Sequence, residues 1–389
     1  MDGGNQQRPG HRAAASGRQG IRIAVAVLVT LAALAAITVV VVRLGHGAKT
    51  ASPRGGVHVK ESPTGGATSQ PSHPASPSKT RGSKAGRRPS PSPTAPSGQA
   101  PAGSLAPASG ALFGAWVAPT SGSTYTALET SILTFEQEIG RKLAIDQLYV
   151  PWGRPFPMSV VRWDLHQGSV PMISWAGTST SQIAAGVYDS EFRASALELR
   201  SLHRPVMLRW FPEMDGSQYS PIVSSPASFV AAWRHVHDIF VRAGATNVIW
   251  VWCPNALHFG DGVAQRYYPG SSYVDWVGAD GYNWAPTLRR APWRDFASIF
   301  GDFYRWGLSA GKPMLIGEFG VLERRPGNKA AWYRQTDVEL KTRFPAIKGL
   351  VYFNSDLDGF DWRITTSTAS LAAFRSFATD PYFRAAPRV

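Results

Sequence analysis

Glu213 and Glu318 lie 105 residues apart, each at the end of an apolar run, RWFPEMDG for the first and PMLIGEFG for the second. Two carboxyl groups facing one cleft can divide the work of breaking a glycosidic bond. One protonates the leaving oxygen and the other attacks the anomeric carbon, with retention when the groups stand about 5–5.5 Å apart. Either glutamate alone could serve as the partner of a loop arginine. The pair together, in a chain with 14 tryptophans, points to chemistry on sugars, whose apolar C–H faces stack on indole rings. Trp116, Trp175, Trp210, Trp252 and Trp284 fall at or near the ends of apolar runs, whereas Trp233, Trp250 and Trp306 read as ordinary packing.

Such a pair needs a scaffold that brings distant segments to one mouth. From residue 110 onward, apolar runs alternate with helix-like stretches. The runs are 111–118, 143–150, 170–176, 205–211, 247–253, 275–282, 313–320 and 347–353. Between the fourth and fifth, SPASFVAAWRHVHDIFVRAG (225–244) places Phe229, Trp233, Val236, His237 and Phe240 on one face. Ser225 or Ser228 can cap this helix and Gly244 can stop it. Eight strands over about 280 residues match a single (β/α)8 TIM barrel, in which side chains at strand C-termini converge on one cleft. Glu213 then ends strand four and Glu318 strand seven. A doubly wound sheet would want a glycine-rich phosphate turn after its first strand, and FGAWVAPTSGS is not one.

Charge is unevenly spread. Thirteen of the 40 Lys and Arg residues, but only Asp2 and Glu61 among the acids, precede residue 110, so this segment carries +11 of the formal +14. The remaining domain is close to neutral, which gives no reason to expect a nucleic-acid partner. Residues 1–22 read as a basic cytoplasmic tail. Ile23–Val42 is an uncharged apolar run of 20 residues, long enough at 1.5 Å per residue for a transmembrane helix. A cleaved signal segment is the alternative, with Ala48 able to end a small-residue cleavage site. Residues 43–109, rich in Pro, Ser and Gly with scattered cations, read as a disordered linker. The expectation is a single-pass membrane protein with residues 110–389 extracellular, or a secreted one if the segment is cleaved. Cys253 stands alone, so no intramolecular disulfide is possible.

Other chemistry-bearing patterns are weaker. His235 and His237 are two apart on a helix and diverge, so no metal is expected there. DLDGFD (356–361) resembles half a calcium loop, but Ser367 stands where the bidentate Glu belongs, and it reads as a polar loop near the cleft. In DGYNW (280–284), Tyr282 could reach a carboxylate or could be a core residue. Cys253 reads as buried and inert.

RWFPEMDG, AAWRHVHDIFVRAGATNVIWVWCPN, YPGSSYVDWVGADGYNW and PMLIGEFG in combination resemble glycoside hydrolase family 26, known chiefly for endo-β-1,4-mannanases. The resemblance covers nearly all of 111–389. It implies that Glu213 is the acid/base, Glu318 the nucleophile and Tyr282 the tyrosine that hydrogen-bonds the nucleophile. The family usually has His directly before the acid/base, then an Asn, and a Trp-Tyr pair further on. Here Pro212 replaces the His, Asp215 the Asn and Gln218 the Trp, while Tyr219 is kept.

The resulting expectation is a monomeric, membrane-tethered retaining endo-β-1,4-glycanase, mannanase-like, that needs no cofactor or metal. Trp116, Trp175, Arg209, Tyr219, Tyr282, Trp284 and Trp362 are its candidate substrate-binding residues. A glycan-binding barrel that has lost catalysis, or a transglycosylase acting on envelope polysaccharide, are the alternatives.

Overall fold

A computed structural model describes residues 105–120, 122, 124–285, 291–356 and 359–387. Eight parallel strands follow one another: β1 (Ala111–Val117), β2 (Ile145–Val150), β3 (Val170–Trp175), β4 (Val206–Trp210), β5 (Val248–Trp252), β6 (Trp276–Asn283), β7 (Met314–Val321) and β8 (Ile347–Asn354). Each pairs with the next, β8 pairs with β1 and β1 with β2, so the sheet closes into a barrel. A short β9 (Phe383–Arg384) lies beside the start of β1. All eight strands fall within two residues of the apolar runs that predicted them.

The helices are α1 (Tyr125–Ile139), α2 (Met158–Gln167), α3 (Thr180–Ala184), α4 (Asp189–Arg200), α5 (Pro226–Arg242), α6 (Phe296–Ala310), α7 (Asn328–Thr342) and α8 (Thr368–Ala378). Between β5 and β6, short 3-10 turns at Ala256–His258, Ala264–Tyr267 and Ser271–Tyr273 stand in place of an α-helix. α5 shows why the pattern elsewhere is legible. The Ser225 side chain accepts from Ser228 N at 3.1 Å, Pro226 opens the helix, and Gly244 beyond its end has φ 73. Its buried Phe229, Trp233, Val236 and Phe240 face the sheet. Each contributes about 1.5–3 kcal/mol by leaving water.

Alternation along the strands divides the core in two. Leu112, Ile145, Met172, Met207, Ile249, Val251, Trp276, Leu315 and Val351 fill the barrel interior. The opposite strand faces meet the helices in a larger, aromatic-rich layer. Leu105, fully buried, joins the interior cluster. The domain therefore begins before residue 110: one leucine at the end of a Pro/Ser/Gly-rich stretch packs on the barrel, which average composition conceals. The tail (1–22), the apolar run (23–42) and the linker up to residue 104 lie outside the described residues. Among the described residues, no helix is long and apolar enough to cross a membrane.

Candidate active site

Glu318 points inward because β7 is irregular. Leu315 belongs to the interior cluster and Ile316 to the outer layer, while Phe319 again faces outward against Trp332 and Tyr352. Between them, the β7–β8 register shifts from Ile316 to Phe319, and the β6–β7 register shifts at Ala279/Asp280. Such bulges re-aim side chains. Gly317 permits this one, since a Cβ there would lie 2.5 Å from Cys253 Sγ and 2.7 Å from Asp280 Oδ1.

The Glu318 carboxylate is held from three sides. Tyr149 OH and Arg209 Nη1 each donate to Oε1 at 2.6 Å, and Tyr282 OH donates to Oε2. Arg209 also pairs with Asp280, whose other oxygen accepts from Cys253 Sγ at 3.2 Å, and it donates to Ser174 Oγ at 3.1 Å. Burial, reinforced by the Glu318 charge, pushes both tyrosine hydroxyls well above their usual range, so they stay protonated donors. Burial alone would favour a neutral Arg209, but Asp280 and Glu318 outweigh it and the guanidinium is held charged.

Glu213 sits quite differently. β4 ends in two residues of left-handed backbone, Phe211 (φ 50) and Glu213 (φ 53), flanking Pro212. A residue before proline is driven towards extended conformations, so the Phe211 geometry is strained. Phe211 N donates to Trp175 O at 2.7 Å and its ring meets Tyr219 edge-on at 5.0 Å, while Glu213 N donates to Cys253 O at 2.9 Å. These contacts fix the turn. Among the described residues, no hydrogen bond or ion pair reaches the Glu213 carboxyl. Burial first, then the charges of Asp280 and Glu318, raise its pKa well above the ordinary carboxylate value. Two residues on, buried Asp215 ties this tip to the next loop. Its Oδ1 accepts from Asn255 N (3.1 Å) and Nδ2 (2.9 Å), and its Oδ2 lies 2.8 Å from His258 Nδ1. Burial pulls the His258 pKa down, but the hydrogen bond to Asp215 and its charge outweigh this and raise it.

The expected substrate-binding residues divide into two groups. Tyr282, Trp284 and Trp362 come together beside Glu318, with Trp362 at 4.9 Å from Tyr282 and 4.7 Å from Trp284, and Phe360 joins them; Trp362 is itself buried and backs the half-buried Tyr282 and Trp284. Tyr219 packs beneath Glu213, which raises its already burial-raised pKa. Trp116 meets Tyr149 edge-on at 5.0 Å and is 2% exposed, so it backs that tyrosine and offers no open face.

Like Trp116, two further residues depart from expectation. Ser174 faces inward to Arg209, so Trp175 faces outward, against Trp152, Phe156 and Phe192. It is wall packing, not cleft lining. Arg209 has no exposed surface; it lies beneath Glu318 as the counter-ion of the site.

Tyr149, Asp280, Ser174 and the Asp215–His258 pair had no role assigned from sequence. Ile145, Gln147 and Tyr149 alternate along β2, and a polar residue on the inward face of a strand's second half was the available signal. Cys253 is buried as expected, and burial keeps it a thiol. His235 meets Asp189 at 2.6 Å whereas His237 packs on Trp250 and Tyr273, so the two diverge.

Residues 184–312 match the family model described as glycosyl hydrolase family 26. Endoglucanase H of Acetivibrio thermocellus is 33% identical over 265 residues, 64% of this chain and 29% of that protein. A β-1,3-xylanase, TXYA, of a Vibrio species is 24% identical over 213 residues, 46% of this chain and 42% of that protein. The chain thus spans less than half the length of these curated relatives. Among solved structures, a Cellulomonas fimi endo-β-1,4-mannanase double mutant superposes with a TM-score of 0.56 at 18% identity, covering 72% of this chain and 73% of that one. A GH26 β-mannanase from Bacteroides ovatus gives 0.53 at 15%, covering 72% and 91%. At these identities the structures speak for the barrel fold, and the sequence matches speak for the family. The barrel of this chain is thus similar to glycosyl hydrolase family 26, over residues 184–312 by the family model.

Proposed function

We propose that the barrel is a retaining endo-β-1,4-glycanase working by double displacement. Glu213 protonates the glycosidic oxygen, Glu318 attacks the anomeric carbon to form a covalent glycosyl-enzyme, and Glu213 then takes a proton from the water that releases it. The observation that carries this reading is the contrast between the two carboxyls. Glu318 accepts from Arg209, Tyr149 and Tyr282, while the Glu213 carboxyl has no partner among the described residues and its pKa is raised, a setting that favours a proton. Pro212 stands at the position of the family's usual His, which removes a hydrogen-bonding side chain beside Glu213 but leaves both carboxyls in place.

The family pattern favours mannan as the polymer. β-Glucan is a second reading, favoured by the 33% identity to a protein named Endoglucanase H. The loss of a tryptophan at Gln218, whose amide lies against Gly216, weakens the mannan pattern at that point. A reducing-end assay of the full chain on β-1,4-mannan, β-glucan and β-1,3-xylan tests both readings. Mixed short oligosaccharides from mannan are expected first. Release of one terminal sugar alone would overturn the endo reading. Binding of a polymer with no new reducing ends would leave a glycan-binding barrel. On this reading the substrate is outside the cell, and residues 23–42 anchor the barrel there through the linker; fractionation of the full chain with membranes checks that arrangement.

A further inference from the structure

Lys329 is charged chemistry in an unexpected place. It opens α7, has no exposed surface, and takes no part in the two-carboxylate mechanism. Its Nζ donates to Arg363 O at 2.6 Å and to Asp361 O at 3.3 Å. The carbonyl between these two, Trp362 O, accepts from Tyr352 OH at 2.6 Å, and Tyr333 OH stands 2.6 Å behind that hydroxyl. Trp362 N donates to Ser355 O at 2.8 Å, and Ile364 N to Asn354 Oδ1 at 3.0 Å. Residues 361–363 have no regular secondary structure, so their carbonyls have no ladder to enter and must find side chains or water. Two buried side chains, one from α7 and one from β8, take all three.

The held segment carries Trp362. Its ring lies against Tyr282 and Trp284, and Tyr282 OH donates to Glu318. We infer that Lys329, with Tyr352, is a positioning residue for the reaction: the two clamp the 361–363 backbone so that Trp362 is set against Tyr282 and the sugar-facing wall beside Glu318. The inference rests on the hydrolase reading only for its kinetic consequence. A buried ammonium is costly, and burial pulls the Lys329 pKa down to about 7 against the opposing charges of Asp361 and Glu323. The geometry survives that titration, because an uncharged amine retains two N–H groups for the two carbonyls.

The test uses the full chain and two kinds of readout. The first needs no substrate: the circular-dichroism couplet of the Trp284–Trp362 pair, taken as the difference between wild type and Trp284→Phe. Lys329→Met and Tyr352→Phe should each diminish that couplet. The second is kcat/KM on the polymer that wild type cleaves. Lys329→Met should lower it about 10- to 100-fold, the scale expected when the groups that Trp362 supports at the site shift by about 1 Å. In a Trp362→Ala background, the same change should cost less than about twofold, because the group it positions is gone. Tyr352→Phe removes only a hydroxyl and carries both arms if Lys329→Met does not fold. An unchanged couplet in a folded variant, or losses that multiply in the Trp362→Ala background, would overturn the clamp. A wild type that hydrolyses nothing would overturn the hydrolase reading instead, and the couplet would still decide the clamp.

Discussion

The tips of β4 and β7 present the same side chain to the same cleft and treat it in opposite ways. At β7 the backbone is bulged but unstrained in φ, and the Glu318 carboxylate accepts from one guanidinium and two tyrosines. At β4 the strain is in the backbone, with Phe211 and Glu213 both at positive φ, and the carboxyl has no partner among the described residues. A glutamate acquires its role from where the protein places donors, charge and strain. Donors around a carboxylate lower the cost of its charge; burial beside other carboxylates raises that cost and retains the proton.

The largest effect that could break this comparison comes from deleting each carboxyl in turn. Glu318→Ala and Glu213→Ala should both lose several orders of magnitude of activity, on the scale of about 10⁴ or more for removal of a group essential to the chemistry. Added azide should separate them. On a β-glycoside with a good leaving group, azide should enter the cavity in Glu318→Ala and attack directly, giving the inverted α-glycosyl azide. In Glu213→Ala the nucleophile still forms the glycosyl-enzyme, and azide attacking that species should give the β-glycosyl azide. The same anomer from both variants, read by NMR of the product, would make the two tips equivalent and remove the assignment.

Most of the scaffold could be read before any coordinates. Strand runs, the α5 cap at Ser225 or Ser228 and the strand-end positions of the two glutamates each depend on pattern that is local once the barrel is recognised. What could not be read depends on inside and outside. Trp175 looked like a cleft residue because it ends a strand, yet Ser174 is the residue that faces inward. Arg209 looked like a sugar ligand because it is polar, yet it lies beneath Glu318 with Asp280. Tyr149 lies within LAIDQLYV, where an aromatic residue in an apolar run is indistinguishable from core. One residue of register separates a wall from a site, and register is settled by strand pairing far away in sequence. The bulge at Gly317 and Glu318 is a further step removed, since it depends on the space taken by Cys253, just after β5, and by Asp280 of β6.

A smaller effect sharpens the comparison through pH. On the proposed reading Glu213 acts protonated; since its pKa is raised by burial and by Asp280 and Glu318, kcat/KM on the polymer should fall as pH rises through that raised value. The sign is that of a general acid: activity is present below the folded pKa and lost above it. The alkaline limb should disappear in Glu213→Ala assayed with an activated leaving group, where protonation is unnecessary. If the limb persists there, the titrating group belongs elsewhere and β4 is not the acid tip.

The smallest effect concerns the strain itself. β4 is preceded as well as followed by left-handed backbone, since His203, in the turn before the strand, has φ 52. His203 is exposed, and its side chain makes no hydrogen bond, ion pair or ring contact among the described residues. Left-handed backbone costs a non-glycine residue about 1–2 kcal/mol, and glycine's extra freedom in the unfolded chain returns about 0.5–1 of that. His203→Gly should therefore stabilise the barrel by about 0.5–1 kcal/mol, a rise of roughly 1–3 °C in Tm for a domain of this size, with kcat/KM unchanged. Thermal unfolding and a single rate measurement check both halves. A stable, fully active variant would show that strain at the base of β4 is dispensable, leaving the strain at Phe211 and Glu213 as the kind tied to the site. A loss of activity would mean that the turn before the strand and the tip after it move together, and the contrast between β4 and β7 would then be a property of the whole strand, not of its end.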